Sequence, residues 1–317
     1  MIIRNMIFNE ECLKMIRCKQ TTTISILIVL LVYEIHFSLF FMKNNKKYIF
    51  TFWEPREKIP GYLKLCIKTW KSFLSDYEII ILDYNISKFY LGEELFSKII
   101  CENMSIMVQA DAIRVAMLNK FGGIWMDADT IITNGEFIKY FQNFELAMVM
   151  DKSGLQFIAF IYASKNSIII KQWLNKIIYN VKKFKSIILN QENTTNWKLS
   201  WEEVNAWYYL GNGIIDKLIK NAKGKQYLGI DYKKINVFPE LDYFKNASLD
   251  LYQAYNAYNS FYFQERDPQI ALNYSKGLIF LHNSWTLSKY KKMTEKEFVN
   301  KDILLSKLLK KLLYIIE

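Results

Sequence analysis

Cysteine and histidine are scarce in this chain of 317 residues, which holds four of the first and two of the second. Cys12, Cys18, Cys66 and Cys101 form no CxxC pair and no metal-ligand spacing. Cys66 and Cys101 sit inside apolar helical patterns, so buried free thiols in a reducing compartment are expected. Two histidines give little material for hydrolytic or nucleotidyl-transferring sites, which cluster further carboxylates or histidines around their metals. Zinc-knuckle, RNP-like and homeodomain-like patterns are absent, and the lysines are spread along the chain. The net charge of +11 therefore does not point to nucleic acid. Neither an internal repeat nor a low-complexity linker divides the chain into separate domains. The lack of a small-residue cleavage site argues against an exported, processed protein.

Apolar residues, by contrast, make up 51% of the sequence and aromatics 16%, the composition of a packed globular protein. The length suits one large α/β domain or two intimately joined lobes. Positive charge without a nucleic-acid motif favours a nucleotide diphosphate and an anionic membrane surface as partners. Residues 1–45 read as an N-terminal extension. The candidate membrane segment 24–42 is nearly continuously apolar and about as long as a bilayer is thick. Glu34 within it would cost on the order of 3 kcal/mol at the bilayer centre. Basic residues flank both ends, so charge does not set an orientation; a true start at Met42 is the competing reading. At the other end, residues 291–317 carry a basic amphipathic helix with Ile303, Leu304, Leu308 and Leu312 on one face. That face would lie on an anionic membrane or pack over the domain's own core.

Residues 46–290 read as α/β. Strands are expected at 48–53, 78–82 and 124–126, with helices after Pro60, over 93–101 and from Ser105 to Phe121. Strand–helix alternation at these lengths predicts right-handed crossovers and a mostly parallel sheet. Further strands are expected at 147–150, 157–163 and 278–281, and helices at 167–181 and 201–220.

The chemistry concentrates between Gln109 and Thr130. Asp127 and Asp129 follow an apolar strand at i and i+2, where open α/β sheets place their ligands. Two such carboxylates repel unless a hard divalent cation joins them, and oxygen ligands with room for water suit Mg²⁺ or Mn²⁺. Such an ion would clamp a diphosphate and neutralise it as a leaving group. An Asp-x-Asp pair also occurs by chance in solvated turns; its context here is what gives it weight. Asp111 and Arg114 share one helix face just upstream, as a surface ion pair or as an acid and guanidinium aimed at sugar hydroxyls or phosphate.

Asp111-x-x-Arg114, Gly122-Gly123 and Trp125-Met126-Asp127-Ala128-Asp129 together resemble the motif of glycosyltransferase family 32 and the capsular polysaccharide synthesis proteins, relatives of the glucosylating domains of clostridial toxins. Phe50-Thr51-Phe52-Trp53, Ile59-Pro60, Trp70 and Tyr77-Glu78-Ile79 match the opening of that family, and Leu281-His282-Asn283-Ser284-Trp285 matches weakly a late piece. The resemblance implies a GT-A type fold with a Rossmann-like, mostly parallel central sheet flanked by helices. It further implies transfer of a hexose, with retention, from a nucleotide-sugar (a UDP-sugar) to a lipid-linked or oligosaccharide acceptor at the inner face of the bacterial inner membrane. Trp53 would stack on the base of the donor, unless it is a core aromatic. Asp111 and Arg114 would hold the donor sugar, and Asp127 the ribose or the metal through water. Asp129 would ligate the metal directly. His282, Ser284 and Trp285 would close over the diphosphate, with His282 or Ser284 completing the metal shell, unless His282 is a core histidine. A toxin-like protein glycosyltransferase and a non-catalytic glycan-binding protein remain as alternatives.

Overall fold

Tyr48-Ile49-Phe50-Thr51 offers an apolar or small side chain to both sides of an extended chain, and this segment becomes a strand buried on both faces. The computed structural model describes residues 46–151, 153–190, 208–244 and 251–314. Its strands are β1 (Lys47–Phe52), β2 (Tyr77–Leu82), β3 (Gly123–Met126), β4 (Thr130–Ile132), β5 (Leu146–Met150), β6 (Gln156–Ala163), β7 (Tyr227–Asp231) and β8 (Leu278–Phe280). Six form one sheet in the order β2-β1-β3-β6-β5-β7, while β4 and β8 make a separate antiparallel ladder. Three of the five pairings in the large sheet are parallel, and β6 runs antiparallel to both of its neighbours. The predicted mixed α/β class with a mostly parallel sheet is therefore present.

The helices that position the site are α1 (Gly61–Phe73), α2 (Tyr84–Leu91), α3 (Glu93–Ile99), α4 (Ile106–Phe121), α5 (Ile168–Asn190), α6 (Asn212–Ile219), α7 (Leu251–Tyr262) and α8 (Leu304–Leu312). Helix α4 is buried nearly all round, from Asp111 to Leu118 without a break, because it packs on β1 and β3 and beneath α5. Helix α1 is tied to β4 from two adjacent residues. The Trp70 indole donates to the Thr130 carbonyl at 2.7 Å, and the Ile132 amide donates to Thr69 Oγ1 at 3.0 Å.

Gly122 and Gly123 end α4 and open β3 with φ of +67° and +103°. A Cβ on Gly123 would stand 2.5 Å from the Tyr48 carbonyl oxygen of β1. Both the backbone conformation and the close strand approach thus require glycine here. Gly123→Ala is expected to destabilise the protein by about 3 kcal/mol, the upper range for a strained backbone, with the steric clash added. Urea unfolding would measure it; an unchanged midpoint would contradict the account.

The C-terminal segment resolves one of the sequence alternatives. Leu304, Leu305, Leu308, Leu309 and Leu312 of α8 are buried in the same core cluster as Tyr62 and Leu63 of α1. The apolar stripe predicted for this helix therefore packs on its own domain, and only the basic face is left for an anionic surface. The candidate membrane segment 24–42 lies outside the described residues. Among the described residues no helix is long and apolar enough to cross a membrane. All of these residues but Lys46 belong to one compact unit beginning at Lys47.

Candidate active site

The parallel strands β1 and β3 end side by side, Ile49 pairing with Ile124 and Phe50 with Trp125, so Trp53 and Asp127 leave the sheet at the same edge. The Asp127 amide donates to the Ala159 carbonyl of β6 at 2.9 Å, and the Thr130 amide turns back to the Asp127 carbonyl at 2.9 Å. That tight turn places the two aspartates on one short lip before β4 begins.

Arg114 reaches this lip from α4. Its Nη2 donates to Asp127 Oδ1 at 2.9 Å and lies 3.5 Å from Asp111 Oδ1, while Nη1 donates to the Ile158 carbonyl at 2.6 Å. The guanidinium also lies 4.9 Å from the ring centre of Trp125, whose indole N–H donates to Asp127 Oδ1 at 2.8 Å. Arg114 is therefore hydrogen-bonded to Asp127 and ion-paired with Asp111, which gathers the three side chains into one cluster. The structure adds that Arg114 is turned inward, only 5% exposed. Its direct work is to orient the two acids.

Asp129 is held from the opposite side. The Asn283 amide donates to its Oδ2 at 2.9 Å, and the Leu281 amide to its carbonyl at 3.0 Å. Asn283 is in turn fixed by the buried Tyr62 hydroxyl, which donates to its Oδ1 at 2.5 Å. Sequence reasoning singled out neither Asn283 nor Tyr62. A backbone amide leaves no signature in residue type, and Tyr62 looks like any apolar position of α1.

The late loop folds as one helical turn, with the Trp285 and Thr286 amides both donating to the His282 carbonyl. It is strapped to α7 by the Tyr258–Thr286 hydroxyl pair at 2.9 Å and by Asn259 Nδ2 donating to the Trp285 carbonyl at 3.3 Å. The His282 ring lies 4.0 Å from Trp285 and stacks on Phe238 at 5.7 Å. Burial pushes its imidazole down to about 4. Among the described residues no three His, Cys, Asp or Glu side chains converge as metal ligands. The expected set of Asp127, Asp129 and His282 is thus not brought together, because aromatic stacking holds His282 in its own cage. Ser284 is exposed at the tip, and Trp53 is half-buried against the core.

A divalent cation nevertheless fits the pair of acids. Both side-chain hydrogen bonds to Asp127 fall on Oδ1, which leaves its Oδ2 without a hydrogen bond among the described residues, while the Asp129 carboxylate accepts from the Asn283 amide on Oδ2 and from its own backbone amide. Two hard oxygens with the remaining positions left to water and phosphate match Mg²⁺ or Mn²⁺.

Burial, with the Asp127 charge adding to it, pushes Asp129 up to about 7. Burial likewise raises Asp111 to about 7, with Arg114 opposing. In the metal-free chain these groups keep protons that the unfolded chain, with ordinary carboxyls near 3.8, has already released. The native state then binds more protons between about pH 4 and 7, so the contribution of these groups to stability falls as pH rises through that window. Thermal melts in chelator are expected to show this slope weakened in Asp129→Asn. Mn²⁺ should raise the melting temperature more at pH 7.5 than at pH 5; equal shifts at both would refute the assignment.

A profile of the family described as "Capsular polysaccharide synthesis protein" matches residues 32–276, a span that holds Trp53, Asp111, Arg114, Asp127 and Asp129 and ends before the His282 loop. A search among curated proteins finds no match. Among solved structures, the chain is similar to "PaToxG Glycosyltransferase" at 18% identity and a TM-score of 0.34, over 85% of this chain and 87% of that one. It is also similar to the glycosyltransferase GlyE of Streptococcus pneumoniae TIGR4, at 15% identity and a TM-score of 0.32, over 64% of this chain and 51% of that one. For the ligand-free glycosyltransferase domain from the YGT toxin the values are 10% and 0.33, over 73% and 94%.

Proposed function

Because the chain belongs to the capsular polysaccharide synthesis protein family, we propose that it is a glycosyltransferase moving a hexose from a nucleotide-sugar, a UDP-sugar, onto a lipid-linked saccharide. The observation that carries the reading is the joint arrangement of Asp111, Arg114, Asp127 and Asp129 at the end of β3. Arg114 and Trp125 fix one oxygen of Asp127 and leave the other for a ligand. The Asn283 amide, with its side chain fixed by Tyr62, aims Asp129 from the other side. A bound Mn²⁺ or Mg²⁺ would neutralise charge developing on the departing diphosphate.

Asp111, buried beside Arg114, would accept from hydroxyls of the donor sugar, and Trp53 at the same sheet edge would stack on the base. Ser284 and Trp285, one and two residues after the Asn283 that holds Asp129, would cover the diphosphate. Asp111, Asp127 and Asp129 each have another role here, which leaves no nucleophile assigned among the described residues. Retention is therefore assigned to same-face attack, in which the leaving phosphate oxygen takes the proton of the acceptor hydroxyl. The excess of basic residues supports residence at the inner, anionic face of the membrane.

Incubation with Mn²⁺ and a panel of UDP- and GDP-sugars tests the proposal, with transfer or slow donor hydrolysis as the readout. Turnover of one UDP-hexose, abolished by chelator, is expected. No turnover of any donor would end the enzymatic reading.

A further inference from the structure

Helices α5 and α6 flank an open groove of about 900 Å³ that takes no part in the site described above. Asn175, Lys176, Tyr179 and Asn180 line it from α5, Tyr208 from the segment before α6, and Lys217 from α6. Tyr179 and Tyr208 are 59% and 56% exposed, two large rings left in water within a concavity. Ring faces of this kind stack on the C–H faces of sugars, while neighbouring amides pair with hydroxyls.

The charge is one-sided. Among the described residues no carboxylate lines the groove, and neither Lys176 nor Lys217 has an acidic partner. Lys176 Nζ lies 4.7 Å from the Tyr179 ring centre, so a cation and a stacking platform occupy one spot. The frame is well tied. Asn180 Nδ2 donates to the Tyr209 carbonyl and the Tyr209 hydroxyl to the Asn180 carbonyl, each at 3.1 Å. Trp173 Nε1 donates to the Leu210 carbonyl at 2.7 Å. Gly213 lies so close to the Tyr208 carbonyl that any Cβ there would displace it. Asn212, at the start of α6, donates to the Gln156 carbonyl of β6 at 2.6 Å. Two and three residues further along that strand, the Ile158 and Ala159 carbonyls hold Arg114 and Asp127.

We propose that this groove binds an acidic oligosaccharide, a stretch of the acceptor glycan carrying carboxylate or phosphate groups. The inference rests on the glycosyltransferase reading for the word acceptor, though binding itself needs neither donor nor metal. Titration of the full chain with a hexasaccharide of alternating glucuronate and N-acetylglucosamine, against neutral maltohexaose, tests it. Tyr179→Ala and Tyr208→Ala are each expected to weaken hexasaccharide binding roughly tenfold, as loss of a stacking anchor does. The paired substitution Lys176→Gln and Lys217→Gln should erase the preference for the acidic probe. Asp129→Ala should bind it as the unaltered chain does, and melting curves confirm that each variant is folded.

Equal binding of the acidic probe by the tyrosine variants would overturn the proposal. So would phosphatidylglycerol vesicles being retained through these residues while the hexasaccharide gives no response. Specific hexasaccharide binding without turnover of any donor would leave the groove standing and remove the enzymatic reading, which keeps the two failures apart.

Discussion

Alanine at Asp129 is expected to lower sugar transfer by roughly a thousandfold while leaving the fold in place, the loss seen when an electrostatic contact to a leaving group is removed. The substitution deletes the side-chain bond from the Asn283 amide but keeps the Leu281 amide bond to the Asp129 carbonyl, so the lip stays joined to the late strand. Its cost in stability should be about 1 kcal/mol, that of one hydrogen bond. Steady-state kinetics with the active donor, beside a thermal melt, separates the two effects. A variant retaining a tenth of the activity would remove Asp129 from the chemistry.

The second large effect belongs to Arg114. Arg114→Ala deletes the bonds to Asp127 and the Ile158 carbonyl, the ion pair to Asp111 and the contact with the Trp125 ring. It leaves Asp111, 8% exposed, as an unpaired buried acid. Breaking a buried charge pair costs about 3–5 kcal/mol; the lower end applies here because the Asp127 side chain is 36% exposed and water compensates it. Activity should fall with it, since Asp127 loses the group that aims it. Arg114→Lys is the informative companion: it restores a charge but cannot bridge three acceptors with planar geometry. Lysine is therefore expected to recover part of the stability and little of the turnover. Full recovery of both would show that charge alone matters at this position.

Much of this site was legible in the sequence because short-range geometry carries it. Asp111 and Arg114 share a helix face by spacing, and Gly122-Gly123 forces the helix to stop where a strand must start. Asp127 and Asp129 then emerge beyond an apolar strand. The remainder was invisible for identifiable reasons. Strand β4, only Thr130–Ile132, is too short to show alternation, and its partner β8 lies almost 150 residues away along the chain. Strand β7 is only partly buried and carries a glycine at its centre, which weakens its strand signal. Helix α2 was not foreseen after the strand expected at 78–82; it is capped by Asp83, whose carboxylate accepts from the Ile86 amide at 2.7 Å. Helix α5 runs to Asn190, beyond the expected end at 181, and the expected helix over 201–220 is seen only from Asn212 onward, residues 201–207 lying outside the described residues. His282 could be read as ligand or core from sequence, and only its stacking between Phe238 and Trp285 separates it from the acids. Cys66 and Cys101 are buried free thiols, as their apolar surroundings suggested.

The small β4–β8 ladder also bears on when the protein becomes competent. Thr130 pairs with Phe280, Ile132 with Leu278, and the next residues of the late strand supply the amides that grip Asp129. On the ribosome, a nascent chain that has emerged only as far as β7 would carry every acidic residue of the lip yet lack its clasp. The grip on Asp129 would thus close only once residues 278–283 have emerged, well after every acid of the lip has been made.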